Sequence, residues 1–390
     1  MSAFLSLGFR PFFLGAAVWS CLALGLWLAQ FQGLMAPVPY FAAAAWHAHE
    51  MLFGFAAAAI AGFALTAVPQ WTESPPLRGA RLAALFGLWL VGRAAMTVPG
   101  PIGPLAVGVL DSAFLAVLAV AVAHAILRAG NRRNLVVVLA FLVLFAANAA
   151  FHAAGPDGPE LRSLALRLGL AGIVVLITLI GGRIIPAFTG NWLQRTGREG
   201  VPAPMGWIDR AALGIGVLAL GVWTALPDGA VTAVLLLAAA ALHALRLARW
   251  CGLKTGAEPL VWILHLGYAW VPIGLALLGL GAWVGGLSGS AGMHALSAGA
   301  VGTMTLSVMS RATLGHTGRP LTAGAGTLAV YCLVTLAAGL RVAAAWGGGL
   351  QADMILAAGG LWMGAFGLFA ILYGPMHVAP AIAGDAPDHG

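Results

Sequence analysis

Twelve long apolar stretches separated by short polar loops confine this chain to one kind of fold. They fall at 12–31, 41–68, 80–98, 104–127, 134–154, 161–188, 207–226, 229–250, 259–281, 291–311, 324–345 and 352–374. Each approaches the ~20 residues that a helix needs to cross a bilayer core. A backbone in lipid must satisfy its own hydrogen bonds, so stretches of this length read as helices. Composition agrees: only 8% of the 390 residues are charged and 61% are hydrophobic, whereas a soluble chain carries about 25% charge. The expected fold is all-α, a polytopic membrane protein of twelve transmembrane helices forming a single integral membrane domain. The polar segment 189–206 joins its two halves, 1–188 and 207–374.

The loops alternate in charge. One set carries Arg10, Arg78, Arg81, Arg128, Arg132, Arg133, Arg195, Arg198, Arg249, Lys254 and Arg319, and the opposite set only Arg162. By the positive-inside rule both termini are expected in the cytoplasm. The net charge of +7 is thereby read as a topology signal, and no nucleic-acid partner is expected. The first apolar stretch exceeds a signal-peptide core and is expected to remain as the first helix. Cys21, Cys251 and Cys332 are too scattered for a disulfide framework or a thiolate metal cluster.

A faint repeat runs with a period of four spans. Span 4 ends in His124 and Arg128, span 8 in His243 and Arg246. Spans 2, 6 and 10 exit through polar runs holding Pro69, Pro186 and His316. Three groups of four helices would give a pseudo-threefold bundle, the plan of the haem-copper oxidase catalytic subunit. Similar composition among small-residue helices would produce the same likeness.

Within this apolar frame the run Trp46-His47-Ala48-His49-Glu50 stands out. A charge inside a membrane segment costs about 2.5–3.5 kcal/mol on insertion scales, so three ionisable groups in four residues call for a metal, a partner charge or water. The orientation puts His47, His49, His152 and His294 at one depth, near the outer face. Neutral imidazole suits iron and copper, and four histidines on three helices favour metal over isolated polar contacts. On a regular helix His47 and Glu50 share one side and His49 faces the other. The expectation is therefore two centres flanking one helix, with His47 and Glu50 at one and His49 at the other. Glu50 is also the candidate proton-handling group. Alternatively, Glu50 pairs with an intramembrane arginine, Arg93 or Arg341, and Asp111 and Asp353 are further counter-ions. Those arginines equally suit haem carboxylates.

The inner side has a second constellation. Span 6 ends in Gly181-Gly182-Arg183-Ile-Ile-Pro186, and span 10 in Ser310-Arg311-Ala-Thr313-Leu-Gly315-His316. Ordinary C-capping by basic residues explains it. A second cofactor site, with His265 and His316 as ligands and Arg183 and Arg311 as carboxylate partners, or a proton entry route, explains it too. His377 and His389 are expected on a cytoplasmic tail. Fourteen tryptophans fit interfacial belts, with Trp46, Trp262 and Trp270 beside histidines. Met293, Met304 and Met309 line span 10.

Five stretches resemble the NnrS family: Leu7-Gly-Phe-Arg-Pro-Phe-Phe13, Trp46-His-Ala-His-Glu-Met51, Gly181-Gly-Arg-Ile-Ile-Pro-Ala-Phe-Thr189, Leu264-His-Leu-Gly-Tyr-Ala-Trp270 and Ser310-Arg-Ala-Thr-Leu-Gly-His-Thr-Gly-Arg319. The resemblance implies a bacterial inner-membrane protein with twelve helices, haem b and copper, and a role in nitrosative stress. On that basis one expectation is binding of nitric oxide at a buried metal, with reduction where electrons and protons are supplied. No Cys-x-x-Cys-His motif occurs, so haem would be non-covalent and electrons would come from quinol or a donor protein. The other expectation is a transporter or handling protein for metal, haem or nitrosyl complexes, since two halves of broken, small-residue helices also describe transporters.

Overall fold

The computed structural model describes residues 2–38, 40–155, 157–284 and 289–382. It is 83% helical, and no strand occurs among the described residues. Among the described residues the twelve helices are α1 Phe9–Phe31, α2 Ala43–Thr72, α3 Ala80–Thr97, α4 Gly103–Arg128, α5 Leu135–Ala153, α6 Pro159–Arg195, α7 Trp207–Ala225, α8 Ala230–Ala248, α9 Pro259–Val284, α10 (Gly289–His294, Ala295–Gly302 and Thr303–His316), α11 Ala325–Ala343 and α12 Gln351–Val378. Eleven are long and apolar enough to cross a membrane. In α10 a π-helical stretch, Ala295–Gly302, interrupts the α-helix. The all-α polytopic fold is the one the apolar stretches predict.

The chain forms two compact units. The first comprises Met1–Gly169, Val308–Leu321 and Phe366–Gly390, and the second Leu170–Ser307 and Thr322–Ala365. The polar segment 189–206 lies inside the second unit. In the first, α1 packs on α2, α2 on α4, and α4 on both α3 and α5. In the second, α7, α8, α9, α10 and α11 pack in sequence order.

Glycine sets the closeness of the helices in the first unit. A Cβ on Gly8 would meet the Leu65 Cβ, and one on Gly62 would stand 2.7 Å from the Phe13 ring. Helices in lipid gain from such van der Waals contact, because no hydrophobic force drives them together. The Phe9 amide donates to Thr66 Oγ1 at 3.1 Å, fixing the register of α1 on α2. The buried Arg10 donates to the Met376, His377 and Ala379 carbonyls at 3.2, 3.0 and 2.6 Å. It thus caps α12, where the helix dipole is negative.

One expectation is corrected at this end. His377 is not on a tail. It lies within α12, is 0% exposed, and sits among Phe9, Phe13 and Phe369. The helix continues through Pro375 because the apolar run and the Arg10 cap support it. His389 lies outside the described residues.

Candidate functional site

The site begins where α2 changes pitch. The α-helix runs to His49, and Glu50–Ala56 is π-helical. Such stretches recur at functional sites. Gly54 shows what the local sequence permits. A Cβ there would lie 2.6 Å from Arg93 Nη1 and 2.8 Å from both Glu50 Oε2 and Trp19 Nε1. Only glycine leaves room for those three groups to meet. The Gly54 carbonyl accepts from Trp89 Nε1 at 3.0 Å, tying the π stretch to α3.

Five helices contribute to the cluster. Glu50 Oε2 accepts from Trp19 Nε1 at 2.8 Å and from Arg93 Nη1, while Oε1 pairs with His49 Nδ1 at 2.9 Å. Arg93 Nη2 donates to Asp111 Oδ1. The other Asp111 oxygen, Oδ2, receives Asn148 Nδ2 at 2.8 Å and His152 Nε2 at 2.9 Å, with His49 Nε2 at 3.1 Å. Asn148 Oδ1 lies 2.8 Å from His49 Nε2. His49 and Glu50 are 0% exposed, Asp111 and Asn148 1%. Gly108 lets α5 come close enough for this, since a Cβ there would stand 3.0 Å from the His152 Cβ.

Charge counting defines what the cluster can do. Two buried carboxylates face one guanidinium. Burying an unbalanced charge costs several kcal/mol, so one further positive charge is called for. A proton shared on the histidines supplies it, and so does a metal cation. Donor atoms of His49, Asp111 and His152 lie within 4.8 Å of one another. Two imidazoles and a carboxylate form a set used by non-haem iron, and imidazole also suits copper. The second His49 nitrogen already rests on Glu50, the carboxylate support that ligating histidines characteristically have.

The structure gathers His49, Glu50, Arg93 and His152 and leaves other expected residues elsewhere. The division of the opening run is corrected: Glu50 bonds His49, which the helical wheel sets on the opposite face. A helical wheel compares side-chain directions alone. Here the Glu50 side chain curls at the start of the π stretch until its carboxylate meets the neighbouring imidazole. His47 instead stacks on Trp27, with ring centroids 4.2 Å apart at 22°. His294 belongs to the second unit, where its Nδ1 lies 2.7 Å from the Ser290 carbonyl and Arg341 reaches Ser290 Oγ at 3.5 Å. His265, also in that unit, bonds Thr189 Oγ1 at 2.8 Å. His316 is in the first unit with its ring 5.6 Å from Phe9. Arg183 falls in the second unit and Arg311 in the first.

Sequence reading missed Asn148 and Trp19, and gave Asp111 only as a counter-ion. For Asn148 and Asp111 the signal was faint but present: a polar residue well inside an apolar span. It missed a second network more completely. In the second unit Arg246 Nε donates to Asp209 Oδ1 at 2.9 Å, and its Nη1 to the Thr178 carbonyl at 2.8 Å and Tyr268 Oη at 3.0 Å. Arg249 Nη1 binds Asp209 Oδ2 at 3.0 Å. Gly182 leaves the space that the Arg246 guanidinium fills.

Fold and cluster together define a class: a polytopic helical membrane protein with a buried two-histidine, one-aspartate donor set locked by an arginine. Residues 3–380 match the family described as NnrS protein, and the chain belongs to the NnrS family. That membership supports a membrane protein of the nitric oxide response. No curated protein matches the chain.

Proposed function

We propose that this protein binds nitric oxide at a metal held by His49, Asp111 and His152. The observation that carries the reading is the convergence of these three donors beside a buried carboxylate pair that lacks one positive charge. Iron(II) or copper fits the donor set. When bound, the metal supplies an open coordination position for nitric oxide and a one-electron couple.

The residues of the chain do the rest. Arg93 bridges Glu50 and Asp111 and fixes both carboxylates in place. Glu50 orients His49 through Nδ1. It is also one hydrogen bond from the donor set, where a group that holds or passes a proton belongs. Asn148 pins Asp111 and His49 together. Haem b would be held by His294. Its Nδ1 faces a backbone carbonyl, which leaves Nε2 as the ligating nitrogen, and Arg341 stands by as a carboxylate partner. Reduction of nitric oxide would draw electrons from quinol or a donor protein.

Anaerobic titration of iron(II)- or copper-loaded protein with nitric oxide tests this reading by electron paramagnetic resonance. The expected result is a new nitrosyl signal or the bleaching of a copper(II) signal, lost in His152→Ala and kept in His47→Ala. Metal-replete protein whose spectrum ignores nitric oxide would overturn it.

A further inference from the structure

The second unit buries a tyrosine whose phenol is fully oriented. Tyr268 is 0% exposed, and its partners His243 and Arg246 are 1% and 2% exposed. Tyr268 Oη lies 2.8 Å from His243 Nδ1 and accepts from Arg246 Nη1 at 3.0 Å. His243 Nε2 lies beside Gly216, where a Cβ would stand 2.8 Å away. Tyr268 Oη already accepts from Arg246, and among the described residues its other hydrogen-bond partner is His243 Nδ1, so the buried hydroxyl hydrogen points to that nitrogen. The direction is then fixed. Tyr268 donates its proton to His243, and Arg246 donates to the same phenol oxygen.

A structural staple needs none of this polarity. Arg246 already joins α7, α8 and α6 through Asp209 and the Thr178 carbonyl, and a phenylalanine would fill the space of Tyr268. What the array adds is a proton acceptor aimed at a phenol, with a cation to steady the oxygen left behind. Trp250, itself buried, lies with its ring centroid 4.7 Å from that of Tyr268.

The geometry points to Tyr268 and His243 as a redox-active pair that gives up one electron to a nitrogen-oxide radical oxidant. The oxidant is nitrogen dioxide, which nitric oxide forms with dioxygen. The electron passes from the Tyr268 phenol to nitrogen dioxide, which becomes nitrite. The Oη–H bond breaks, and its proton goes to His243 Nδ1. The product is a neutral tyrosyl radical accepting hydrogen bonds from the imidazolium and from Arg246. The choice of oxidant rests on the nitric oxide reading, whereas the redox pair does not.

The test is freeze-quench electron paramagnetic resonance on the full chain in detergent, oxidised with hexachloroiridate(IV). The sequence holds four tyrosines, Tyr40, Tyr268, Tyr331 and Tyr373, so assignment is tractable. Wild type should give a tyrosyl signal that Tyr268→Phe abolishes and Tyr331→Phe and Tyr373→Phe retain. His243→Ala should lower its yield about tenfold, the scale of losing one buried hydrogen-bond partner, and added imidazole should restore it. Arg246→Lys should shift the high-field g-tensor, which reports hydrogen bonding to the phenoxyl oxygen. Circular dichroism checks that each variant is folded. A folded wild type with no tyrosyl signal would overturn the pair. So would a signal that survives Tyr268→Phe, or one indifferent to His243→Ala. A second arm replaces the iridium salt with nitrogen dioxide generated from nitrite by pulse radiolysis. A radical with iridium but not with nitrogen dioxide would overturn the oxidant and leave the pair standing.

Discussion

Two buried clusters, one in each compact unit, hold their charges in opposite balance. The first holds two carboxylates, one arginine and two histidines around Glu50 and Asp111. The second holds one carboxylate, two arginines, a tyrosine and a histidine around Asp209. Both have left water and pair their charges through hydrogen bonds, as buried ions must. The acid-rich cluster still calls for a cation. The base-rich one has no use for a metal, and its spare hydrogen-bonding capacity goes to a phenol. Similar burial thus prepares two different chemistries, and the sign of the uncompensated charge separates them.

That contrast can be broken by mutation. Arg93→Met removes the single cation between Glu50 and Asp111 and should cost about 3–5 kcal/mol, as when a buried ion pair loses one partner. Arg246→Met leaves Asp209 with Arg249, which is partly exposed, and should cost less, about 1–3 kcal/mol. Thermal unfolding of the two purified variants checks the order, and equal losses would remove the distinction. Next in size, Gly54→Ala drives a Cβ against Arg93, Glu50 and Trp19 and should cost about 1–3 kcal/mol by overpacking. Trp19→Phe deletes one hydrogen bond to Glu50 and should cost about 1.5 kcal/mol. Smallest is His47→Ala, which loses a ring stack worth about 0.5–1.5 kcal/mol and should leave metal content unchanged.

How much of this was legible in the sequence follows from the range of each interaction. The helices were legible because each is a local apolar run, and their ends agree with the structure to within a few residues at most spans. Arg93 as the partner of Glu50 was legible as one of two alternatives, because lipid leaves a buried carboxylate few options. The pairing of His49 with Glu50 was not, because it depends on side-chain torsions and on the π stretch that Gly54 makes room for. The Asp209–Arg246–Tyr268–His243 array was not legible either. Its members are spread over three helices, and each alone reads as an ordinary polar residue. His377 was misplaced because Pro375 reads as a helix stop. The Arg10 cap that secures that end comes from the far end of the sequence.

The central claim is that His49, Asp111 and His152 hold a metal. Quantitative metal analysis of the purified membrane protein, wild type beside Asp111→Asn and His47→Ala, tests it most directly. Iron or copper should be bound in wild type and His47→Ala and lost from a folded Asp111→Asn. Equal metal in Asp111→Asn and wild type, or a folded wild type that takes up neither metal, would contradict it.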